Sequence, residues 1–186
     1  MAFHYPVNNY RATLAAPLTP TDLEIVLDEG GGGPLTRMPC FVSIENEIIE
    51  VQERKRAWTQ TGTESMDRIF WGAAQDGGGG NGVSITLADP GAPNASLSVS
   101  VSNSAVMIGL ATDGDGNLIS TVDDVLLALA QHTGASGLLF GFSGETGVVA
   151  AAAETVLSGG NNDILNVTDD YGGRGAQGTS ATNHPA

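Results

Sequence analysis

The chain has 186 residues and a formal net charge of −14, from 21 Asp and Glu against 7 Lys and Arg. Proteins that hold nucleic acid or anionic membranes by electrostatic attraction need a basic surface, so this charge argues against both kinds of partner. A single cysteine excludes an internal disulfide and a multi-cysteine metal site. Charged residues make up only 15% of the chain, and 26 glycines indicate many turns, so the composition predicts a β-rich protein.

The first part of the chain alternates apolar and polar residues with the period of β-strands. Residues 23–27 read as one half-buried strand, and residues 40–53 read as a hairpin that turns at Glu45-Asn46-Glu47. Residues 1–68 carry six basic and ten acidic residues, whereas residues 69–186 carry one basic and eleven acidic residues. This asymmetry predicts either an early segment that meets a mixed-charge surface, or acidic loops that only keep the chain soluble.

A second group of elements follows the glycine run at residues 77–80, which is typical of a linker. Thr121 and Asp124 form a capping pattern at the start of a helix that glycine ends at position 134. The predicted elements are a strand at 83–87, a hairpin of 97–101 with 106–110, this helix, a strand at 138–140, an extended or irregular segment at 148–157 and a strand at 164–168. The elements before residue 160 predict a small α+β module with one helix on a sheet.

Four residues around the start of the predicted helix have the spacing of calcium ligands. Asp113, Asp115 and Asn117 alternate along a loop, and Asp124 follows at the closing position. The alternative is a polar turn, because Leu118 stands where a calcium loop has glycine and Asp124 also suits the helix cap. Calcium is therefore the one cofactor that the residue spacing suggests.

No combination of residues indicates a catalytic site. The three histidines, at positions 4, 132 and 184, have no paired ligand spacing, and Cys40 falls in a predicted strand without a nearby histidine. The glycine runs lack the Lys and Ser or Thr of a phosphate-binding loop. We therefore predict that the protein is not an enzyme.

Aromatic and basic residues are concentrated in one stretch. Trp58, Phe70 and Trp71 lie near the run of bases at residues 54–56. Tryptophan and arginine are enriched at protein interfaces, so this stretch predicts a contact patch; the alternative is that the rings close a small core. For Trp71 we expect the packing role. The predicted docking residues are Tyr10, Arg11, Arg54, Arg56 and Trp58.

Two stretches resemble a small β-domain of tailed-bacteriophage virion proteins. The strand at residues 12–27 and the hairpin at residues 41–51 have the pattern of its first half, and residues 174–184 look like its closing motif. The stretch between them, at residues 92–160, is similar to modules that recur in phage head and tail proteins. The resemblance implies a domain of residues 1–76 completed by residues 161–186, with an α+β module at residues 82–160 inserted into it.

The resemblance implies a structural function. The expected fold is mainly β or α+β, with a small β-barrel-like or β-sandwich domain beside the α+β module. We expect a capsid decoration or cement protein that binds and stabilises the head shell; the alternatives are a tail, neck or fibre-adaptor protein, and a host-surface or glycan-binding module. The implied partners are the major capsid protein or other virion proteins and further copies of the chain, as in a trimer. The implied location is the virion, assembled in the host bacterial cytoplasm.

Overall fold

A computed structural model of the chain describes residues 12–19, 21–28, 40–44, 47–62 and 66–167. Its strands are β1 (Glu24–Val26), β2 (Cys40–Ile44), β3 (Glu47–Lys55), β4 (Trp58–Thr61), β5 (Ile69–Ala73), β6 (Ser84–Ala88), β7 (Ser98–Ser102), β8 (Ala105–Gly109), β9 (Leu139–Phe142), β10 (Ala152–Val156) and β11 (Asn161–Val167). Its helices are a 3₁₀ helix (Gly77–Gly80), α1 (Val122–Gln131) and α2 (Thr133–Ser136). Within the described ranges, no helix has the length and apolar character needed to cross a membrane.

Contacts divide the chain into two compact units. Unit 1 comprises Met1–Lys55, Asp76–Gly78 and Gly160–Ala186, and unit 2 comprises Arg56–Gln75 and Gly79–Gly159. Unit 1 is therefore discontinuous along the chain, whereas unit 2 is almost one continuous segment.

Unit 1 contains an antiparallel sheet with the strand order β1-β11-β3-β2. Side chains alternate across a strand, so Ile49 and Val51 of β3 point to the same face as each other and are fully buried. They form a small core with Ile25 of β1 and with Leu165 and Val167 of β11. The last strand thus supplies core residues to a sheet whose other strands come from the first third of the chain.

Unit 2 contains two sheets and both α-helices. One sheet has the order β10-β6-β8-β7, in which β6 and β8 run parallel, and the other has the order β4-β5-β9 with antiparallel neighbours. Its core joins residues of both sheets and of α1, among them Trp71, Ile85, Ile108, Val125 and Leu139.

Helix α1 begins where the sequence predicts it. The Thr121 hydroxyl accepts a hydrogen bond from the backbone N–H of Asp124, and the Asp124 carboxylate accepts one from the backbone N–H of Thr121 at 2.9 Å. This reciprocal capping box satisfies donors that the first turn of a helix leaves without partners. Val122, Val125 and Leu129 then recur at helical spacing and are buried. His132 ends α1, and its Nδ1 accepts a hydrogen bond from the N–H of Ala135 in α2.

The prediction of a mainly β, α+β chain is confirmed, and none of the three sheets among the described residues closes into a barrel. The division into units differs from the predicted boundary at residue 76, because β4 pairs with β5 and β5 pairs with β9, and neither pairs with β3. The glycine run expected to be a linker forms the 3₁₀ helix, and the division falls inside it. Strand β11 pairs with β1 and β3, while residues 168–186, with the proposed closing motif, lie outside the described residues.

Candidate protein-binding face

The structure separates the predicted docking residues. Tyr10 and Arg11 lie outside the described residues. Arg54 is in unit 1, where its Nη2 is 2.9 Å from Oδ1 of Asp76 and its side chain is only 15% exposed. Arg54 is thus engaged within its own unit. Arg56 and Trp58 belong to unit 2, and the structure brings them together with residues from two other strands.

One face of the sheet β4-β5-β9 carries four aromatic side chains. The strand register places Trp58, Gly72 and Phe140 in one row across the sheet, and Gln60, Phe70 and Phe142 in the next. Residues directly opposite each other in a sheet point to the same side, so the rings of both rows share one face. We call this surface, formed by Trp58, Phe70, Phe140 and Phe142 with Arg56 and Arg68 beside them, the aromatic face.

The four rings contact one another. The indole of Trp58 stands edge-on to Phe140, with ring centroids 5.3 Å apart, and edge-on to Phe142, at 5.7 Å. Phe70 stacks on Phe142 with centroids 5.4 Å apart. These separations are those of favourable aromatic pairs. The rings are nevertheless exposed to solvent, to 39% for Trp58, 38% for Phe140 and 51% for Phe142.

Gly72 makes this arrangement possible. A Cβ atom at Gly72 would lie 2.6 Å from Cζ of Phe140 and 2.6 Å from Cζ3 of Trp58. Real Cβ atoms do not approach other carbons so closely, so the two rings lean over the glycine from either side. The rings cover the gap that the missing side chain leaves in the strand.

Two guanidinium groups lie over rings of the aromatic face. Arg56 Cζ is 5.8 Å from the centroid of Phe140, and Arg68 Cζ is 5.4 Å from the centroid of Phe70. Both distances suit a cation–π interaction. Nη1 of Arg56 also donates hydrogen bonds to the carbonyl oxygens of Ala73 and Ala74, which fix the guanidinium at the end of β5.

Arg56 and Arg68 stand out when the charges are counted separately for each unit. Unit 1 has five Lys and Arg against twelve Asp and Glu, and unit 2 has two against nine, so each unit has a formal charge of −7. The contrast between an early and a late segment therefore disappears once the charges are assigned to the folded units. Arg56 and Arg68 are the two basic residues of unit 2, and both lie at the aromatic face.

The opposite face of the same sheet belongs to the core. Ile69, Trp71, Ala73 and Leu139 are fully buried there, and Trp71 Nε1 donates a hydrogen bond to Oγ1 of Thr61 at 2.9 Å. The expected packing role of Trp71 agrees with this position. Alternation along β5 thus sends Trp71 inward and Phe70 outward.

The predicted calcium residues form two separate structures. The Asp113 carboxylate accepts hydrogen bonds from the backbone N–H groups of Asp115 and Asn117 and from the Asn117 side chain, which also holds the pKa of Asp113 below its ordinary value. Asp124 caps α1, and hydrogen bonds from Thr121 lower its pKa. Among the described residues, no three His, Cys, Asp or Glu side chains are grouped so that they could hold a metal ion. The geometry is that of a polar turn followed by a helix cap.

Sequence reasoning named Trp58 and Arg56 as docking residues but did not include Phe140 or Phe142. The signal was the alternation of phenylalanine with glycine at residues 140–142, which puts two aromatic rings on one side of a short strand. In three comparisons with known proteins, no family model, no curated protein and no solved structure matched this chain. The function is therefore inferred from the residues and their geometry.

Proposed function

We propose that this protein is a structural protein of a tailed-bacteriophage virion, and specifically a capsid decoration protein that attaches to the head shell through the aromatic face. The exposed aromatic face with its two arginines is the observation that carries the docking assignment. The resemblance of residues 12–27 and 41–51 to a virion β-domain supports the class of particle.

The chemistry of the aromatic face suits a protein surface as its partner. Exposed clusters of large apolar side chains mark interaction sites, and tryptophan and arginine dominate the binding energy of many interfaces. The rings already contact one another and the Arg56 guanidinium is already fixed, so little side-chain freedom would be lost on binding. The fitting partner is an apolar patch bordered by carboxylates, which we assign to the major capsid protein.

The mechanism is stabilisation by linkage. A protein that binds the assembled shell but not its dissociated subunits shifts the equilibrium toward the shell. The nine acidic residues of unit 2 repel other acidic surfaces, so they favour contact through the face that holds Arg56 and Arg68. In this proposal the protein acts in the virion and needs neither a cofactor nor a catalytic group.

The test is co-sedimentation with empty head shells. Trp58→Ala and Phe142→Ala each remove a large ring from the aromatic face, and we expect each to weaken shell binding about tenfold or more. Leu127→Ala is the matched control, because Leu127 is an exposed apolar residue of α1 in the same unit. Shell binding that survives both ring substitutions would show that the aromatic face is not the docking surface.

Binding to isolated tails in the same assay distinguishes the location in the particle. Retention on tails with no binding to shells would assign the protein to a tail, neck or fibre-adaptor position and overturn the decoration proposal. Binding to host cells that free sugars compete away would instead indicate a glycan-binding module, since exposed aromatic rings also serve such sites. The Trp58→Ala variant belongs in all three arms.

A further inference from the structure

A second surface of unit 2 lies at the edge of the other sheet. Strand β7 is the last strand in the order β10-β6-β8-β7, and its sequence is Ser-Val-Ser-Val-Ser. Proteins protect edge strands from pairing with other chains by charges, prolines, bulges or a covering helix or loop. Helices α1 and α2 contact β7, and Gly134 of α2 lies next to the Val101 side chain, so the helices pack on the side of the valines. β7 has no charged residue and no proline, its pairing with β8 has no register shift, and no Asp, Glu, Lys or Arg occurs anywhere in residues 90–112.

The hairpin geometry shows which backbone groups of β7 point outward. Residues 103 and 104 form a two-residue loop between Ser102 and Ala105. The first and last residues of a β-turn are joined by a hydrogen bond, so Ser102 and Ala105 are a hydrogen-bonded pair. Hydrogen-bonded pairs alternate along an antiparallel ladder, so Ser100 bonds to Met107 and the N–H and C=O groups of Val99 and Val101 point away from β8. In the part of the chain that the structure describes, no backbone hydrogen bond joins residues 98–102 to an element other than β8.

We propose that β7 pairs in antiparallel orientation with β7 of a second copy of this chain, about a two-fold axis at Ser100. In this register Val99 of one copy meets Val101 of the other, so the outward backbone groups form hydrogen-bonded pairs. Ser98 of one copy lies opposite Ser102 of the other, and the two Ser100 residues lie opposite each other. The serines of both copies therefore share one face of the joined sheet, and the valines share the other face. The inference goes beyond the proposed docking function and does not depend on it.

Charge identifies the second copy as the occupant. Two chains that each carry −14 repel each other, and repulsion is smallest where neither surface has a charge. β7 lies within such an uncharged stretch, and the alternation of its residues is self-complementary under two-fold rotation. A basic or acidic partner would gain nothing from this edge. A two-fold contact gives a dimer rather than the trimer that the resemblance implies.

The first experiment measures mass by sedimentation equilibrium over a range of protein concentrations. We expect a concentration-dependent dimer for the natural chain and a dissociation constant at least about tenfold higher for Ser100→Lys, because like charges would lie directly opposite each other. Met107→Lys is the matched control: Met107 is the exposed neighbour of Ser100 on β8, one strand further from the edge. We expect this variant to dimerise as the natural chain does.

Disulfide trapping tests the register. In a Cys40→Ser background, Ser100→Cys places two thiols across the two-fold axis in a non-hydrogen-bonded pair, a spacing that a disulfide can bridge. In Ser102→Cys the new cysteine faces Ser98 of the other copy. The cysteines of the two copies then lie about 13 Å apart along the strand direction, so we expect no disulfide. The proposal would be overturned if the natural chain stays monomeric or if disulfides form equally at both positions. It would also be overturned if Trp58→Ala abolishes the dimer while Ser100→Lys leaves it intact. Loss of shell binding with the dimer retained would overturn only the docking function.

Discussion

The two faces of the sheet β4-β5-β9 place the same kind of side chain in opposite environments. The chain has two tryptophans: Trp71 is fully buried on the inner face, and Trp58 is 39% exposed on the outer face. Each face also has a glycine that leaves room for rings, Gly141 beneath Trp71 and Gly72 beneath Trp58. Alternate residues of one strand point to opposite faces, so a substitution on the outer face can leave the buried face intact. Under the proposed docking function, stability and binding are therefore separable in this sheet.

Trp71→Ala and Trp58→Ala should show the largest contrast. Removing the buried indole leaves a cavity, and we expect it to lower the free energy of unfolding by about 3 to 5 kcal/mol. Removing the exposed indole should cost much less stability while weakening shell binding. Chemical denaturation followed by circular dichroism measures the first effect. Similar losses of stability in the two variants would contradict the division of roles between the faces.

Gly141→Ala and Gly72→Ala should show the same contrast at smaller scale. The new Cβ at residue 141 would lie 2.6 Å from Leu126 Cδ2 and 2.7 Å from the Trp71 ring, so overpacking should cost about 1 to 3 kcal/mol. At Gly72 the obstructing atoms belong to exposed rings that can turn aside. We therefore expect Gly72→Ala to retain most stability but to lower shell binding, as measured by melting temperature and co-sedimentation together.

Thr61→Val tests the hydrogen bond that the buried indole of Trp71 donates to Thr61. The substitution leaves Trp71 Nε1 without its hydrogen-bond acceptor in the core, and we expect a loss of about 1 to 2 kcal/mol. Thr61→Ser keeps the hydroxyl and serves as the control. If Thr61→Val is as stable as Thr61→Ser, the hydrogen bond does not contribute to the stability of the inner face.

The smallest effect concerns pH and the cap of α1, the helix that contacts β9. Hydrogen bonds from Thr121 lower the pKa of Asp124 in the folded chain, so its contribution to stability is present above the ordinary carboxyl pKa of about 3.9 and is lost as pH falls below it. Thr121→Ala should cost about 1 kcal/mol at pH 7. Asp124→Ala should lower the melting temperature more at pH 7 than at pH 3. A deficit of equal size at both pH values would show that Asp124 does not act through its charge.

Local features of the fold were readable from the sequence. The alternation of serine and valine predicted β7, and the capping pair Thr121 and Asp124 predicted the start of α1, because both depend on neighbouring residues. The prediction of a linker at residues 77–80 was wrong, because these residues form the 3₁₀ helix. Glycine favours flexible chain only in isolation, and here Gly77 and Gly80 have contacts that a larger residue would obstruct.

The site itself was only partly predictable. Trp58 and Arg56 were recognised because tryptophan and arginine are enriched at interfaces. Arg54 was included because it lies two residues from Arg56, but the division between the units falls after Lys55, so Arg54 in β3 belongs to unit 1 and Arg56 to unit 2. Phe140 joins Trp58 only through the pairing of β9 with β5, a contact between distant parts of the chain. A local sequence pattern does not determine which strands will be neighbours in a sheet.

The position of β11 has a consequence for how the chain is made. Its pairing with β1 joins Glu24 to Asn166, so the sheet of unit 1 needs both the first and the last part of the described chain. Contacts so distant in sequence form slowly. During synthesis, all residues of unit 2 are available once residue 159 has left the ribosome. At that point β1, β2 and β3 cannot yet form their sheet, because β11, which lies between β1 and β3, has not been made. The unit that begins first in synthesis is therefore the one that finishes folding last, and its strands stay open to wrong partners until then.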